Sequence, residues 1–385
     1  MTSANETLRL RSATCSAATR EGRPLTVAMV TRLPPTESGG VERVVAGLMK
    51  ELERIRPSWQ VDIVCAFPNH SRLSSVAGLA DVIASLRLGW LLRRSTADVI
   101  FVHCPECVWG IRLLCRRRAT PPLVAVWHGA GAEPHLRLRR PGHPLAWALA
   151  WIRTAGAKRA LRLDGHIAVH PRVAADLRSL YGLRDGVTVI ENGVDTTIFD
   201  HVSRSADRPR PAREGLNALW VGRSGYLKGL DVALAAVAQA RRDLPGLRLT
   251  VAGVAPGKAT EGVHWLGVLP PAKMAEVYRA ADLLIFPSRY DGFGLATIEA
   301  MAAGLPVIVS DVIASGIVTD GRNGAVIPGH DPARYAAALR RLADPALRAA
   351  MTAANREDVR RFNAESAGAD YVAVAESFAS FAASQ

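Results

Sequence analysis

The sequence predicts an α/β protein made of two sheet-and-helix units that face each other across a cleft. Apolar strand-like runs alternate with amphipathic helical stretches throughout, the pattern of parallel sheets covered by helices. A polar break rich in Arg and Pro at 200–215 interrupts this alternation, after which a second α/β series begins. Within that second series, residues 286–311 read as strand, glycine-bearing loop, helix and strand. The loop falls at the carboxyl end of a strand, where open α/β sheets bind ligands. A length of 385 residues suits two domains.

In the first half, strands are predicted at 25–30, 61–65, 98–102, 123–127, 166–169 and 187–190, with helices near 40–53, 108–118, 145–163 and 171–181. In the second, strands are predicted at 217–221, 248–251, 263–266, 283–286 and 306–309, with helices at 230–241 and 272–280 and a helical tail from 331. The expected division is a disordered tail at 1–24, a first domain at 25–199, a linker at 200–215, a second domain at 216–365 and a last helix at 366–385. The tail is polar, and Glu6, Glu21 and the lack of an apolar core argue against a targeting signal.

Composition is 49% hydrophobic and 22% charged, as in a globular protein, and no apolar run approaches the ~18 residues of a membrane span. The five cysteines, Cys15, Cys65, Cys104, Cys107 and Cys115, form no disulfide framework, which points to a reducing cytoplasm. Net charge is +13, and residues 1–200, with 27 Lys and Arg against 17 Asp and Glu, hold most of it. A basic first half suits an anionic partner: a lipid surface, a phosphorylated acceptor or nucleic acid. Arg116, Arg117 and Arg118 lack stacking aromatics and read as a solvated helix end, not a nucleic-acid site.

Four features carry chemistry. The first is the pair Asp291 and Glu299, separated by seven residues across a loop and a helix start. Gly292 and Gly294 let backbone amides approach a ligand, and the helix start beyond them suits a phosphate. The second is Gly222, Arg223 and Lys228 between a strand end and a helix start, two cations placed to clamp a diphosphate. The third is Gly39-Gly40 at the start of the first helix, another anion-friendly terminus. The fourth is His128, just past a strand. Gly129 and Gly131 lack the third glycine of a dinucleotide fingerprint, so a nicotinamide enzyme is poorly supported.

Taken together, these pieces resemble the family 4 retaining glycosyltransferases of the GT-B fold. The matching residues are Gly-Gly-Val-Glu-Arg (39–43), His-Gly (128–129), Glu-Asn-Gly-Val-Asp-Thr (191–196), Gly-Arg…Lys-Gly (222–229), the Pro-Ser…Pro-Val run (287–307) and Asp-Gly-Arg-Asn-Gly (320–324). They occur in family order over about residues 25–365. The resemblance implies two Rossmann-like α/β/α domains, with the last helix crossing back to the first. It implies a UDP- or GDP-sugar donor and an acceptor that is a glycan, glycolipid or natural product. Glu299 would hold the ribose hydroxyls, and Arg223 and Lys228 would neutralise the departing diphosphate. Asp291 and the amides of Gly292, Phe293, Gly294 and Leu295 would grip sugar and phosphate. His128 would reach the sugar from the other domain, and Gly39 and Gly40 would touch the phosphate side. Fixed cations and helix-terminal amides stabilise the charge that develops on such a leaving group.

The chain has no Asp-x-Asp, so activity without a divalent ion or other cofactor is expected. It departs from the family pattern in having Asp291 where Glu is usual and Val169-His170 where Val-Ser is usual. It also lacks Gly-Gly-x-Pro-Glu near 311–318. Two further readings stay open: a sugar-nucleotide epimerase or phosphorylase of the same architecture, and a non-catalytic nucleotide-sugar-binding subunit. Cys104-Pro-Glu-Cys107 has metal or redox spacing but no second cysteine pair. Residues 137–152 join arginines to Trp147 and Trp151, which suits peripheral contact with an anionic membrane at its inner face.

Overall fold

The computed structural model describes residues 24–34, 39–67, 79–114, 121–129, 155–183, 186–194, 215–223, 225–314 and 316–383. The expected disordered tail up to residue 23, the linker segment 200–214 and the Trp-bearing stretch 137–152 lie outside these residues, as do Cys15, Cys115 and Arg116–Arg118.

Two six-stranded sheets are each parallel throughout. The first holds β1 (Thr26–Thr31), β2 (Gln60–Cys65), β3 (Val99–Val102), β4 (Leu123–Trp127), β5 (Gly165–Ala168) and β6 (Val187–Val189), in the order β2-β1-β3-β4-β5-β6. The second holds β7 (Asn217–Val221), β8 (Arg248–Ala252), β9 (Val263–Gly267), β10 (Leu283–Phe286), β11 (Val307–Ser310) and β12 (Gly324–Ile327), in the order β12-β11-β10-β7-β8-β9. Strand order reverses between β1 and β3 in the first sheet and between β7 and β10 in the second. At such a switch point the flanking loops diverge and leave a crevice at the carboxyl ends. β3, β4, β10 and β11 are buried along their whole length, which is why they read as unbroken apolar runs instead of alternating ones.

The helices are α1 (Gly40–Ile55), α2 (Leu79–Leu92), α3 (Val108–Leu114), α4 (Pro171–Tyr181), α5 (Leu230–Ala240), α6 (Pro271–Arg279), α7 (Leu295–Ala302), α8 (Asp311–Ala314), α9 (Pro332–Arg341), α10 (Pro345–Asp358) and α11 (Ala364–Ala383). α1 buries Val44, Val45, Leu48 and Leu52, one stripe at helical spacing. Asp331 and Asp344 cap α9 and α10 through their carboxylates, each followed by a proline at the first helical position. Caps of this kind are worth about 1 kcal/mol each. At α4 the imidazole of His170 takes this role, its Nδ1 accepting from Arg172 N at 3.2 Å. The residue that departs from the family's usual Ser thus still caps the helix.

α2 and β12 have no counterpart in the sequence reading. α2 is apolar on nearly every side and shows no stripe, because its exposed face carries Leu86, Trp90 and Leu91. Its other face lies against α3 at backbone distance. A Cβ at Gly89 would stand 2.2 Å from Gly110 O, and one at Gly110 would stand 2.2 Å from Ser85 O. Ser85 Oγ donates to Cys107 O, just before α3. Cys104 and Cys107 are both buried free thiols packed in the core.

α11 crosses to the first sheet. Arg54 pairs with Glu365 at 3.0 Å and Arg56 with Glu376 at 2.9 Å, tying α11 to α1. Gly165 on β5 faces the Phe378 ring, where a Cβ would stand 2.4 Å from it. Tyr371 sets its ring edge-on to Phe101 of β3 at 5.2 Å.

Candidate functional site

The second sheet supplies one wall of the cleft. β7 ends at Val221, and Gly222 and Arg223 follow. The Trp220 indole donates to Lys228 O at 3.0 Å and so folds the loop back beneath Gly222. Gly229, at φ +69°, starts α5 and touches the end of β10, where a Cβ would stand 1.9 Å from Pro287 O. This approach delivers Lys228 Nζ to Asp291 Oδ2 at 2.6 Å and to Tyr290 O at 3.1 Å. Asp291 Oδ1 accepts from Phe293 N at 3.2 Å and Gly294 N at 3.0 Å, closing the loop that opens α7. Gly294 stands at φ +83° as the residue before that helix. Burial pushes the Asp291 carboxyl up, but the Lys228 ammonium and the two amides together outweigh it, so the net shift is downward and the carboxylate stays ionised.

The 288–290 loop is fixed from below. Ser288 Oγ lies 3.1 Å from Leu227 O and 2.9 Å from Tyr290 O, and Ser310 Oγ donates to Ser288 O at 2.7 Å. Arg289 forms a two-pronged pair with Asp231, both contacts at 2.7 Å, and lies over the Tyr226 ring. Planar bidentate pairs hold geometry better than single contacts.

Glu299 sits inside α7, 6% exposed. The Tyr278 hydroxyl donates to Oε2 at 2.7 Å, and Arg43 Nη1 of α1 meets Oε1 at 2.6 Å. Burial, and then the neighbouring Glu299 charge, push the Tyr278 phenol well up, so it remains a donor.

The first sheet supplies the facing wall. Gly39 precedes α1 in extended conformation, and the Glu42 carboxylate folds back over it. A Cβ at Gly39 would stand 1.5 Å from Glu42 Oε2. The same oxygen lies 3.7 Å from Arg223 Nη2 of the second unit. Gly40 faces the Leu295 side chain, and Gly292 lies against the backbone of His128, where a Cβ would stand 1.7 Å from His128 O. Phe293 meets the His170 ring edge-on at 6.1 Å.

The structure therefore gathers His128, Arg223, Lys228 and Asp291 with Gly39, Gly40, Gly222, Gly292, Phe293, Gly294, Leu295 and Glu299 at the facing carboxyl ends of the two sheets. The starts of α1 and α7 lie in the same region, a setting that favours bound anions. Sequence reasoning gave no role to Arg43, Tyr278 or His103. Arg43 stood in the Gly-Gly-Val-Glu-Arg motif. His103 stands just past β3, the criterion that singled out His128. Tyr278 carried no local signal, since its partner is 21 residues away. Among the described residues no group of three or more His, Cys, Asp or Glu is arranged to hold a metal ion. Among them, no helix is long and apolar enough to cross a membrane.

Comparison with known proteins accords with this geometry. Sucrose-phosphate synthase from Thermosynechococcus elongatus superposes with a TM-score of 0.74 at 20% identity, covering 93% of this chain and 100% of that one. Anabaena HepE in complex with UDP-glucose gives 0.65 at 16% identity, covering 94% and 100%. At these identities the likeness is one of fold, and the fold is GT-B: two Rossmann-like units with a cleft between them. A family model described as Glycosyltransferase Family 4 matches residues 38–198, and one described as Glycosyl transferases group 1 matches residues 215–344. D-inositol 3-phosphate glycosyltransferase of Thermobispora bispora is 32% identical over 354 residues, 84% of this chain and 76% of that protein. The protein of that name from Acidothermus cellulolyticus is 38% identical over 206 residues, 46% of this chain and 45% of that protein. The chain spans about half the length of several of the curated relatives it matches and about three-quarters of others. It belongs to the family 4, group 1 glycosyltransferases.

Proposed function

We propose that the protein is a retaining glycosyltransferase that moves a sugar from a UDP- or GDP-sugar to an acceptor hydroxyl without a divalent metal. The carrying observation is Lys228, bound at once to Asp291 and to the loop that opens α7, beside Arg223 at the end of β7. Lys228, Arg223 and the helix-start amides provide positive potential where a diphosphate would gain charge, the task a metal performs in other transferases. In this reading Glu299 takes the ribose hydroxyls and His128 faces the sugar. Asp291, with both oxygens engaged by protein groups, positions Lys228 and the amides. The bond from the sugar C1 to the phosphate oxygen breaks and the acceptor oxygen bonds C1 on the same face. The departing phosphate takes the acceptor proton.

The relatives' name makes D-inositol 3-phosphate the first acceptor to try, and the positive charge concentrated in residues 1–200 suits an acceptor carrying phosphate. Peripheral contact with an anionic bilayer is proposed on the exposed face of α2. There Leu86, Trp90 and Leu91 stand beside Arg87, Arg93 and Arg94, with Trp90 57% exposed.

The test incubates the protein with UDP- and GDP-sugars and D-inositol 3-phosphate in EDTA and follows the anomeric proton of the product by NMR. Transfer with the donor's anomeric configuration kept, and lost in Lys228→Ala and Glu299→Ala, supports the proposal. Inversion, activity restored only by metal, or unchanged turnover in both variants overturns it. Formation of an epimeric nucleotide sugar would instead mark an epimerase.

A further inference from the structure

His103 directly follows β3, its backbone N–H donating to Val30 O at 2.9 Å. The residue is 4% exposed. Its ring meets that of His128 edge to edge, with ring centroids 5.3 Å apart and planes at 28°. The ring of Tyr371 of α11 lies 6.4 Å away and is tilted by only 13°. His103 Nδ1 lies 3.0 Å from His128 Nε2. His103 Nε2 is buried and has no hydrogen-bond partner among the described residues.

Burial holds both imidazoles below the ordinary histidine value, His128 at about 4, and the neighbouring His128 adds to the effect on His103. At neutral pH the pair is uncharged and shares one N–H···N bond. That bond has two possible directions. If His128 Nε2 donates, His103 must carry its proton on Nε2, burying an N–H donor that has no partner among the described residues. An orphaned buried donor costs roughly 1–3 kcal/mol. If His103 Nδ1 donates, the buried nitrogen is a bare acceptor, a state interiors tolerate more often than an orphaned N–H. The remaining N–H then belongs to His128, the half-buried ring, where a ligand or solvent can accept from it.

We infer that His103 fixes His128 as its Nδ1–H tautomer, so that His128 serves the cleft as a neutral hydrogen-bond donor and not as a general base. His103 is a positioning residue, acting through His128 and held by the Tyr371 ring. The assignment of the tautomer stands on the geometry of the pair. Its catalytic meaning rests on the proposed function, in which His128 faces the donor sugar.

The experiment is ring-nitrogen NMR on the full chain labelled with 15N at histidine, at neutral pH and without substrate. The His128 signals are assigned by their loss in His128→Asn. His128 should show a protonated Nδ1 and a bare Nε2, and His103→Leu should convert it to a mixture of tautomers. His103→Asn, which keeps an amide N–H near the Nδ1 position, should restore the single tautomer. In transfer assays His103→Leu should lower kcat by roughly 10–100-fold with donor KM little changed, by analogy with the range found when the partner orienting a metal-bound imidazole is removed. Asn should recover most of that loss. A wild-type His128 protonated on Nε2, or an unchanged tautomer in a folded His103→Leu, overturns the inference whatever the activity. If His103→Leu does not fold, the wild-type and His103→Asn spectra decide it. A correct tautomer with full turnover in His128→Asn removes the positioning role, and with it the part given to His128 in the proposed reaction. Absence of any transfer by wild type, with the tautomer as stated, counts against the proposed function alone.

Discussion

Arg43 Nη1 of α1 lies 2.6 Å from Glu299 Oε1 of α7, an ion pair that joins the two halves of the molecule across the cleft. Glu299 is the carboxylate proposed to hold the ribose, so the nucleotide and Arg43 compete for one oxygen. Arg43→Gln should therefore bind UDP several-fold more tightly while its thermal midpoint falls, as expected when the buried Glu299 loses its partner. Isothermal titration and a melting curve on the same sample check both signs. Weaker UDP binding in Arg43→Gln would mean that Arg43 serves the ligand directly.

Lys228 and Asp291 form a unit in which the acid holds the base. Removing a cation placed against developing charge costs about 10²–10³ in kcat. Lys228→Ala is expected to fall in that range. Asp291→Asn keeps the side-chain oxygen that accepts from Phe293 N and Gly294 N but loses the charge opposite Lys228, so its kcat should lie between wild type and Lys228→Ala. Steady-state transfer assays rank the three.

Two glycines with positive φ separate backbone strain from close approach. Gly321, at φ +75°, has open space around its missing side chain, so Gly321→Ala should cost about 1 kcal/mol. Gly229, at φ +69°, is pressed against the Pro287 carbonyl. Gly229→Ala should cost clearly more than Gly321→Ala in urea unfolding and should also lower turnover, since it lifts the Lys228 loop from the end of β10.

Acid should destabilise the fold through the histidine pair. His128 titrates near 4 in the folded chain against 6.5 when unperturbed, so between those values the unfolded chain binds more protons. Stability is then fully present above about pH 6.5 and falls as pH drops towards 4, by roughly 3 kcal/mol from this group. Urea midpoints measured across that interval should decline in wild type and decline less in His128→Asn.

The exposed face of α2 gives a membrane prediction. Vesicles containing anionic lipid should bind the protein at low salt, and Trp90→Ser with Arg93→Glu and Arg94→Glu should abolish binding without changing the far-ultraviolet spectrum. Cosedimentation reads this directly, and equal binding by the variant would place the contact elsewhere.

Much of the architecture was legible because parallel strands buried on both faces, such as β10 and β11, announce themselves as short apolar runs bounded by Gly and Pro. The cations and glycines of the cleft were legible for a related reason: each stands next to a strand end or helix start. α2 was not, since the exposed Leu86, Trp90 and Leu91 erase the periodicity of the face packed at Gly89. The partners of the site residues were also hidden. The contacts of Arg43 with Glu299 and of His103 with Tyr371 span more than 250 residues, and no local pattern encodes them. Asp291 shows the same limit. Sequence placed it at the cleft, but its service as the clamp on Lys228 and on the α7 amides emerges only from the fold.

The return of α11 to the first sheet also orders events in time. A chain emerging from the ribosome can complete β1 to β6 while Tyr371 is still being synthesised, leaving His103 without its backing ring. Translation of the last helix is thus what finishes the wall behind His128, so a prematurely terminated product would keep a nearly whole first sheet yet lack an ordered histidine pair.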